Sequence, residues 1–235
     1  MVSITNLHKT FNKNTVLSGV NLEIRGGGIF AILGPNGSGK TTLIKTILGM
    51  VIPNKGQITV LEKDIKHDSL YRHQIDYLPQ IANFPNNLKV KELIKMIKDL
   101  RGDTKTDLDL IKRFKLEPFL DKKLGNLSGG TKQKVNIVLT FMFESPLIIL
   151  DEPTTGLDPI SLIQLKELIQ TEKAKGKTIL ITSHIMSFVE EVSDEIVFLL
   201  DGQVYFKGTI SKLKNKTNEL DFERAIASIL TENHA

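Results

Sequence analysis

Ile29-Phe30-Ala31-Ile32-Leu33-Gly34-Pro35-Asn36-Gly37-Ser38-Gly39-Lys40-Thr41-Thr42 runs from an unbroken apolar stretch through a glycine-rich loop into the opening of a helix that reaches about Leu48. A five-residue apolar run of this kind suits a strand buried on both faces of a parallel sheet. Gly34, Gly39, Lys40 and Thr41 fall at the spacing of a phosphate-binding loop. With Gly at about 7% of average composition, chance supplies these four positions in roughly one chain of this length in a hundred. The chemistry needs those residue types. Glycines let backbone N–H groups converge on phosphate oxygens, and the helix start adds the positive end of its dipole. Lys40 neutralises β and γ phosphates, and the Thr41 hydroxyl suits Mg²⁺. Pro35, Asn36, Gly37, Ser38 and Thr42 complete the candidate cradle.

Leu147-Ile148-Ile149-Leu150 is a second buried-strand pattern, and it ends in Asp151-Glu152. Acids at the carboxyl end of a parallel strand lie where open α/β sheets bind ligands. Asp151 is read as the Mg²⁺-shell carboxylate and Glu152 as the group that polarises the attacking water. Leu127-Ser128-Gly129-Gly130-Thr131 opens a further helix with a hydroxyl and two glycines, a second place where a phosphate can meet backbone N–H groups.

Around these motifs, alternation in Val2–Leu7 and Val16–Ile24 predicts short antiparallel strands, and Gln57–Leu61 and Ile75–Leu78 add strand candidates. Val90, Leu93, Ile94, Ile97 and Leu100 fall at helical spacing, Gly102 interrupts, and Leu108, Ile111 and Phe114 resume it. A helix over Ile160–Glu172, a strand over Thr178–Thr182, a helix over Met186–Val192 and a strand over Ile196–Leu200 then alternate as in a parallel α/β sheet. Val204–Phe206 suggests one more strand. Phe222, Ile226, Ile229 and Leu230 mark a short amphipathic helix near the C-terminus. The expected class is α/β, a P-loop NTPase core with an N-terminal antiparallel β subdomain and an inserted helical subdomain.

The order phosphate-binding loop, Leu-Ser-Gly-Gly segment, apolar strand ending Asp-Glu resembles the nucleotide-binding subunit of ATP-binding cassette (ABC) transporters. The resemblance spans about residues 1–210, with the helical subdomain at about 82–140 and a short helical extension at 211–235. It implies further roles. Gln80, closing Tyr77-Leu78-Pro79-Gln80, matches the glutamine that approaches Mg²⁺ and the attacking water. Asp158 of Gly156-Leu157-Asp158 matches the loop that works across the dimer, His184 the histidine that contacts γ-phosphate, and Phe11 the ring that stacks on adenine. It also implies an Mg²⁺-dependent ATPase that sandwiches two ATP molecules in a homodimer, each between the loop of one protomer and Ser128, Gly129 and Gly130 of the other. Integral-membrane permease subunits would be its partners, placing it in the cytoplasm against the inner face of the cell membrane. Thr131 stands where Gln is common in the family, and Phe11 where Tyr is. Neither change removes a charge, so slower or less adenine-selective turnover is the most they imply. The absence of a long C-terminal regulatory domain is similar to exporter-type cassettes. Segments 77–88 and 184–204 also resemble the ATPase subunit of the transporter that matures the copper enzyme nitrous oxide reductase.

Composition narrows the alternatives. Without Cys there is no disulfide or thiolate metal site, and His8, His67, His73, His184 and His234 show no metal-ligand spacing. Apolar runs fall far short of the roughly 18–20 residues of a spanning helix, and MVSITNLHKTF lacks an apolar signal core. The net charge of +4 reflects residues 86–123, where eleven Lys+Arg face seven Asp+Glu; this is read as a solvated helical surface. A soluble cassette ATPase acting on ribosomes or nucleic acid is the alternative. Such proteins usually carry two cassettes or a long coiled-coil insertion, and no nucleic-acid partner is expected here.

Overall fold

Period-two burial organises the start of the chain. In the computed structural model, which describes residues 1–81, 83–102 and 106–232, strands β1 (Val2–Phe11) and β2 (Asn14–Ile24) pair antiparallel. Val2, Ile4 and Leu7 of β1 and Leu17, Val20, Leu22 and Ile24 of β2 are buried, so one face carries the apolar set. His234 and the other residues outside those ranges are not described. The chain divides into two compact units, Met1–Arg72 with Leu180–Ala235, and His73–Ile179.

In the first unit β1 also pairs antiparallel with β4 (Lys55–Val60), and β4 with the two-residue β5 (Lys63–Asp64). The order is β2-β1-β4-β5. The quoted apolar run forms β3 (Gly28–Leu33), in which Ile29 through Leu33 are all buried. β3 lies parallel to β9 (Glu195–Leu200), and β10 (Gln203–Gly208) closes antiparallel on β9. The Asp194 carboxylate accepts from Ile29 N at 2.8 Å while Asp194 N donates to the Ile29 carbonyl at 2.9 Å, which fixes where β3 begins. Helix α1 (Lys40–Ile47) follows β3 through the loop, and α6 (Met186–Val192) precedes β9. Two helices, α7 (Ile210–Thr217) and α8 (Phe222–Glu232), end the described chain.

In the second unit β6 (Ile75–Leu78) and β7 (Leu147–Asp151) are parallel, in the register Ile75 to Leu147. Between them run α2 (Val90–Arg101), α3 (Asp109–Arg113) and α4 (Gly129–Phe141), and α5 (Pro159–Ala174) follows β7. Strand β8 (Thr178–Thr182) spans the boundary between the units. Parallel pairing of fully buried strands, with helices between them in sequence, is the expected α/β arrangement.

The structure adds local detail to the helical spacing. Leu100 is 71% exposed, because α2 buries Val90, Leu93 and Ile94 and its apolar stripe drifts out of the contact by the last turn. In the next segment the buried residues are Leu110, Phe114 and Leu116. Leu108 is exposed, because α3 begins only at Asp109 and its inward face is the i, i+4 pair Leu110 and Phe114. Helix α7 is not singled out within the helical extension at 211–235, since it offers only Leu213 to the core among six polar or charged neighbours. The basic segment is not wholly solvated: Lys91 meets Asp121 at 2.6 Å, Arg113 meets Glu167 at 3.0 Å, and Arg101 pairs with the buried Asp76. Burial outweighs that guanidinium and leaves the Asp76 carboxyl above its ordinary range.

Candidate nucleotide-binding site

The loop after β3 is built around positions that reject a side chain. Gly34 has φ 146°, and a Cβ there would lie 2.1 Å from the Leu199 carbonyl oxygen and 2.7 Å from Ser38 Oγ. No L-residue fits without moving β9. Ser38 N donates to the Pro35 carbonyl at 3.2 Å, forming the turn, and Gly39 (φ 100°) caps α1 in left-handed geometry. Lys40 Nζ folds over the loop and donates to the carbonyls of Gly34 (2.7 Å) and Pro35 (2.9 Å). An ammonium is thereby held at the loop, beside the positive end of α1. Ser38 Oγ is buried, in a residue 4% exposed, and has no hydrogen-bond partner among the described residues. A hydroxyl kept from water without a partner is unusual enough to need a reason, and a phosphate oxygen supplies one. Thr41 is exposed at the helix start and Thr42 half-buried, while Asn36 and Gly37 are exposed.

Phe11 ends β1 and is 45% exposed, with Lys9 Nζ 4.6 Å from its ring centre. Its ring is not core. His184 is exposed just beyond β8, and the turn that carries it is fixed by Ser183 Oγ accepting from Ile185 N at 3.1 Å.

The second unit holds the remaining residues. Asp151 ends β7, buried at 3% exposure, and Glu152 follows, also buried. Glu152 has φ 51°, a left-handed conformation that costs a non-glycine residue roughly 1–3 kcal/mol and clusters at functional sites. Burial pushes the Tyr77 phenol up to about 12, with the charge of Asp151 adding to the rise. Gln80 is exposed two residues beyond β6, the strand paired with β7. Ser128 is the N-cap of α4: its Oγ accepts from Thr131 N at 3.3 Å and lies 2.9 Å from Thr131 Oγ1. The residue that departs from the family pattern therefore contacts the hydroxyl assigned to phosphate. Gly129 is exposed, and Gly130 packs so closely that a Cβ there would lie 2.6 Å from the Gly156 carbonyl oxygen.

Asp158 has a structural task of its own. It caps α5 by accepting from Ser161 N (2.9 Å) and Ser161 Oγ (3.0 Å), and pairs with Lys134 Nζ at 2.7 Å. Lys134 and these hydrogen bonds hold its carboxyl well below the usual range.

The sequence model described as "ABC transporter" matches residues 17–155. The lantibiotic transport ATP-binding protein SrtF of Streptococcus pyogenes is 32% identical over 95% of this chain and 99% of its own length. The chain belongs to the ABC transporter family. The Nod factor export ATP-binding protein I of a Rhizobium species (strain N33) is 31% identical over 88% of this chain and 70% of that protein. Among solved structures, an ATP-binding subunit of an ABC transporter superposes with a TM-score of 0.92 at 30% identity, covering 98% of this chain and 99% of that one. A dimeric post-hydrolysis cassette bound to ADP and phosphate gives 0.81 at 25% identity, covering 89% and 98%.

As an ABC cassette the chain is an ATP-binding, ATP-hydrolysing protein of α/β fold. Among the described residues no helix is long and apolar enough to cross a membrane, and no group of three or more His, Cys, Asp or Glu is placed to hold a metal. Hydroxyl, carboxylate and amide oxygens, which Thr41, Asp151 and Gln80 each carry, are the kind of donor that a hard cation such as Mg²⁺ takes. The sequence reading missed two buried amides on α4. Gln133 Nε2 donates to the Pro153 carbonyl at 3.0 Å, and Asn136 Nδ2 donates to the Pro79 carbonyl at 3.1 Å. Their advance signal is two amides three residues apart, at helical spacing with the apolar Ile137 and with Thr140.

For Phe11 the exposed ring fits adenine stacking, worth about 1–3 kcal/mol by analogy with base stacking. Phe11→Ala is expected to weaken ATP binding roughly 5- to 150-fold, measured by titration with a fluorescent ATP analogue. Unchanged affinity would assign the ring another task.

Proposed function

We propose that this cassette powers an exporter-type ABC transporter, working as a homodimer docked on integral-membrane permease subunits at the cytoplasmic membrane face. The observation that carries the nucleotide chemistry is the loop Gly34–Thr41, with its side-chain-free cradle, buried Ser38 hydroxyl and Lys40 ammonium. The export direction draws on the names of the relatives, one concerned with lantibiotic transport and another with Nod factor export. Maturation of a copper enzyme draws no support from those names and is not carried forward.

In this reading Lys40 and the loop bind the β and γ phosphates, and Phe11 receives the adenine. Thr41, Asp151 and Gln80 would hold Mg²⁺, which when bound neutralises phosphate charge. Glu152 takes the proton from the attacking water, while His184 orients against the γ-phosphate. Ser128, Gly129 and Gly130 of one protomer complete the site of the other, and Asp158 acts at that junction. Catalysis is then mainly positioning and charge stabilisation.

The test is ATP hydrolysis by the purified chain, alone, with permease-containing proteoliposomes, and with RNA or DNA. Stimulation by the permease is the expected result. Stimulation by nucleic acid alone would replace the transport reading with that of a soluble cassette ATPase.

A further inference from the structure

Glu152 stands in the left-handed backbone region that non-glycine residues uncommonly adopt, with φ 51°, and the residue after it is Pro153. Proline has no N–H, so Pro153 itself can be tied only through its carbonyl, while the Glu152 carbonyl accepts from Thr155 N at 3.3 Å within the turn. The Pro153 carbonyl accepts from Gln133 Nε2 at 3.0 Å, in a buried hydrogen bond across twenty residues of sequence. Gln133 is 5% exposed. An apolar side chain would fill such a place without the cost of burying an amide, so packing alone does not account for a glutamine there.

The same helix holds the rest of the loop. Gly130 packs against the Gly156 carbonyl, and Lys134 pairs with Asp158. Asn136 lies one turn beyond Gln133 on the same face, and its amide donates to the Pro79 carbonyl next to Gln80. Helix α4 therefore tethers the segment 152–158 at three points and the approach to Gln80 at a fourth.

We propose that Gln133 is a positioning residue for hydrolysis: by fixing the Pro153 carbonyl it keeps the Glu152 backbone left-handed, with the carboxylate aimed at the water it deprotonates. This rests on the reading of Glu152 as the general base. Gln133 itself is buried, with its amide nitrogen spent on that carbonyl. Its removal lets the 152–153 backbone relax, leaving nucleotide binding by the loop at Gly34–Thr41 intact.

The test uses the full chain and four proteins: wild type, Gln133→Met, Glu152→Gln and the double variant. Turnover and ATP affinity are measured well below each melting temperature. Gln133→Met is expected to lower kcat about tenfold at unchanged KM for ATP, and to change the residual rate of Glu152→Gln by less than about twofold, because it acts through that carboxylate. Should Gln133→Met fail to fold, Gln133→Asn keeps the amide but shortens the reach, and carries the same comparison. A kcat at the wild-type level, with Glu152→Gln inactive, overturns the positioning role alone. So does a joint fall of kcat and ATP affinity, or an equal loss in both backgrounds. Wild-type turnover by Glu152→Gln would instead remove the general-base reading beneath it.

Discussion

Replacing Glu152 with Gln is expected to lower ATP turnover by about 10²- to 10⁴-fold, the usual contribution of a positioned general base, while ATP still binds. The substitution changes one oxygen to an amide nitrogen and leaves the volume of a buried side chain unchanged, so β7 and its turn have no packing reason to rearrange. Asp151, Thr41 and Gln80 are untouched, so the proposed Mg²⁺ donors survive. With binding intact and water activation lost, the ATP-bound dimer should accumulate, visible as a shift in size-exclusion elution on adding ATP. Wild-type turnover by this variant would refute the role of Glu152, and loss of ATP binding would place the carboxylate among the groups that hold nucleotide.

The second large effect concerns whose residues complete the site. A Lys40→Ala chain lacks the ammonium held at Gly34 and Pro35. A Ser128→Arg chain puts a long cation at the α4 cap, which the proposed composite site sets against the opposite protomer's phosphate. Each is expected to be inactive alone. Mixed in equal amounts, half of the dimers combine the two chains, and each such dimer keeps one intact site, so about a quarter of wild-type turnover should return if the two sites fire independently. Ser128→Arg also removes a helix cap worth about 1 kcal/mol, so circular dichroism must show that this chain is folded before mixing. A mixture as inactive as its parts, at concentrations where Glu152→Gln dimerises, would take away the composite site.

What the sequence makes legible follows from how local the chemistry is. Gly34 through Thr41 is one contiguous turn whose residue types are dictated by phosphate, and it is readable without any partner. The buried strands at Ile29–Leu33 and Leu147–Leu150 announce themselves because both faces are covered and no polar residue interrupts them. Gln133 is the opposite case, since its meaning lies in a carbonyl twenty residues away that no spacing rule reaches. Asp76 hides within an apolar strand for the same reason, its partner Arg101 arriving from the end of α2. The apolar spacing of Leu108, Ile111 and Phe114 does not fix the inward face: one residue of difference in where α3 starts rotates it by about 100°. Asp158 shows a further limit, because capping α5 and pairing with Lys134 already account for an aspartate there, whatever it does across a dimer.

The backbone at Glu152 has an evolutionary corollary. Glycine adopts φ near 51° without a Cβ penalty, and Asn and Asp tolerate it better than Glu. On the reading of Glu152 as the general base, selection for hydrolysis and selection for folding pull in opposite directions at this position. A descendant gene freed from the need to turn over ATP would thus drift at codon 152 toward Gly, Asn or Asp ahead of codon 151. Its nucleotide cradle would persist, and the altered codon would record that the motor had become a passive clamp.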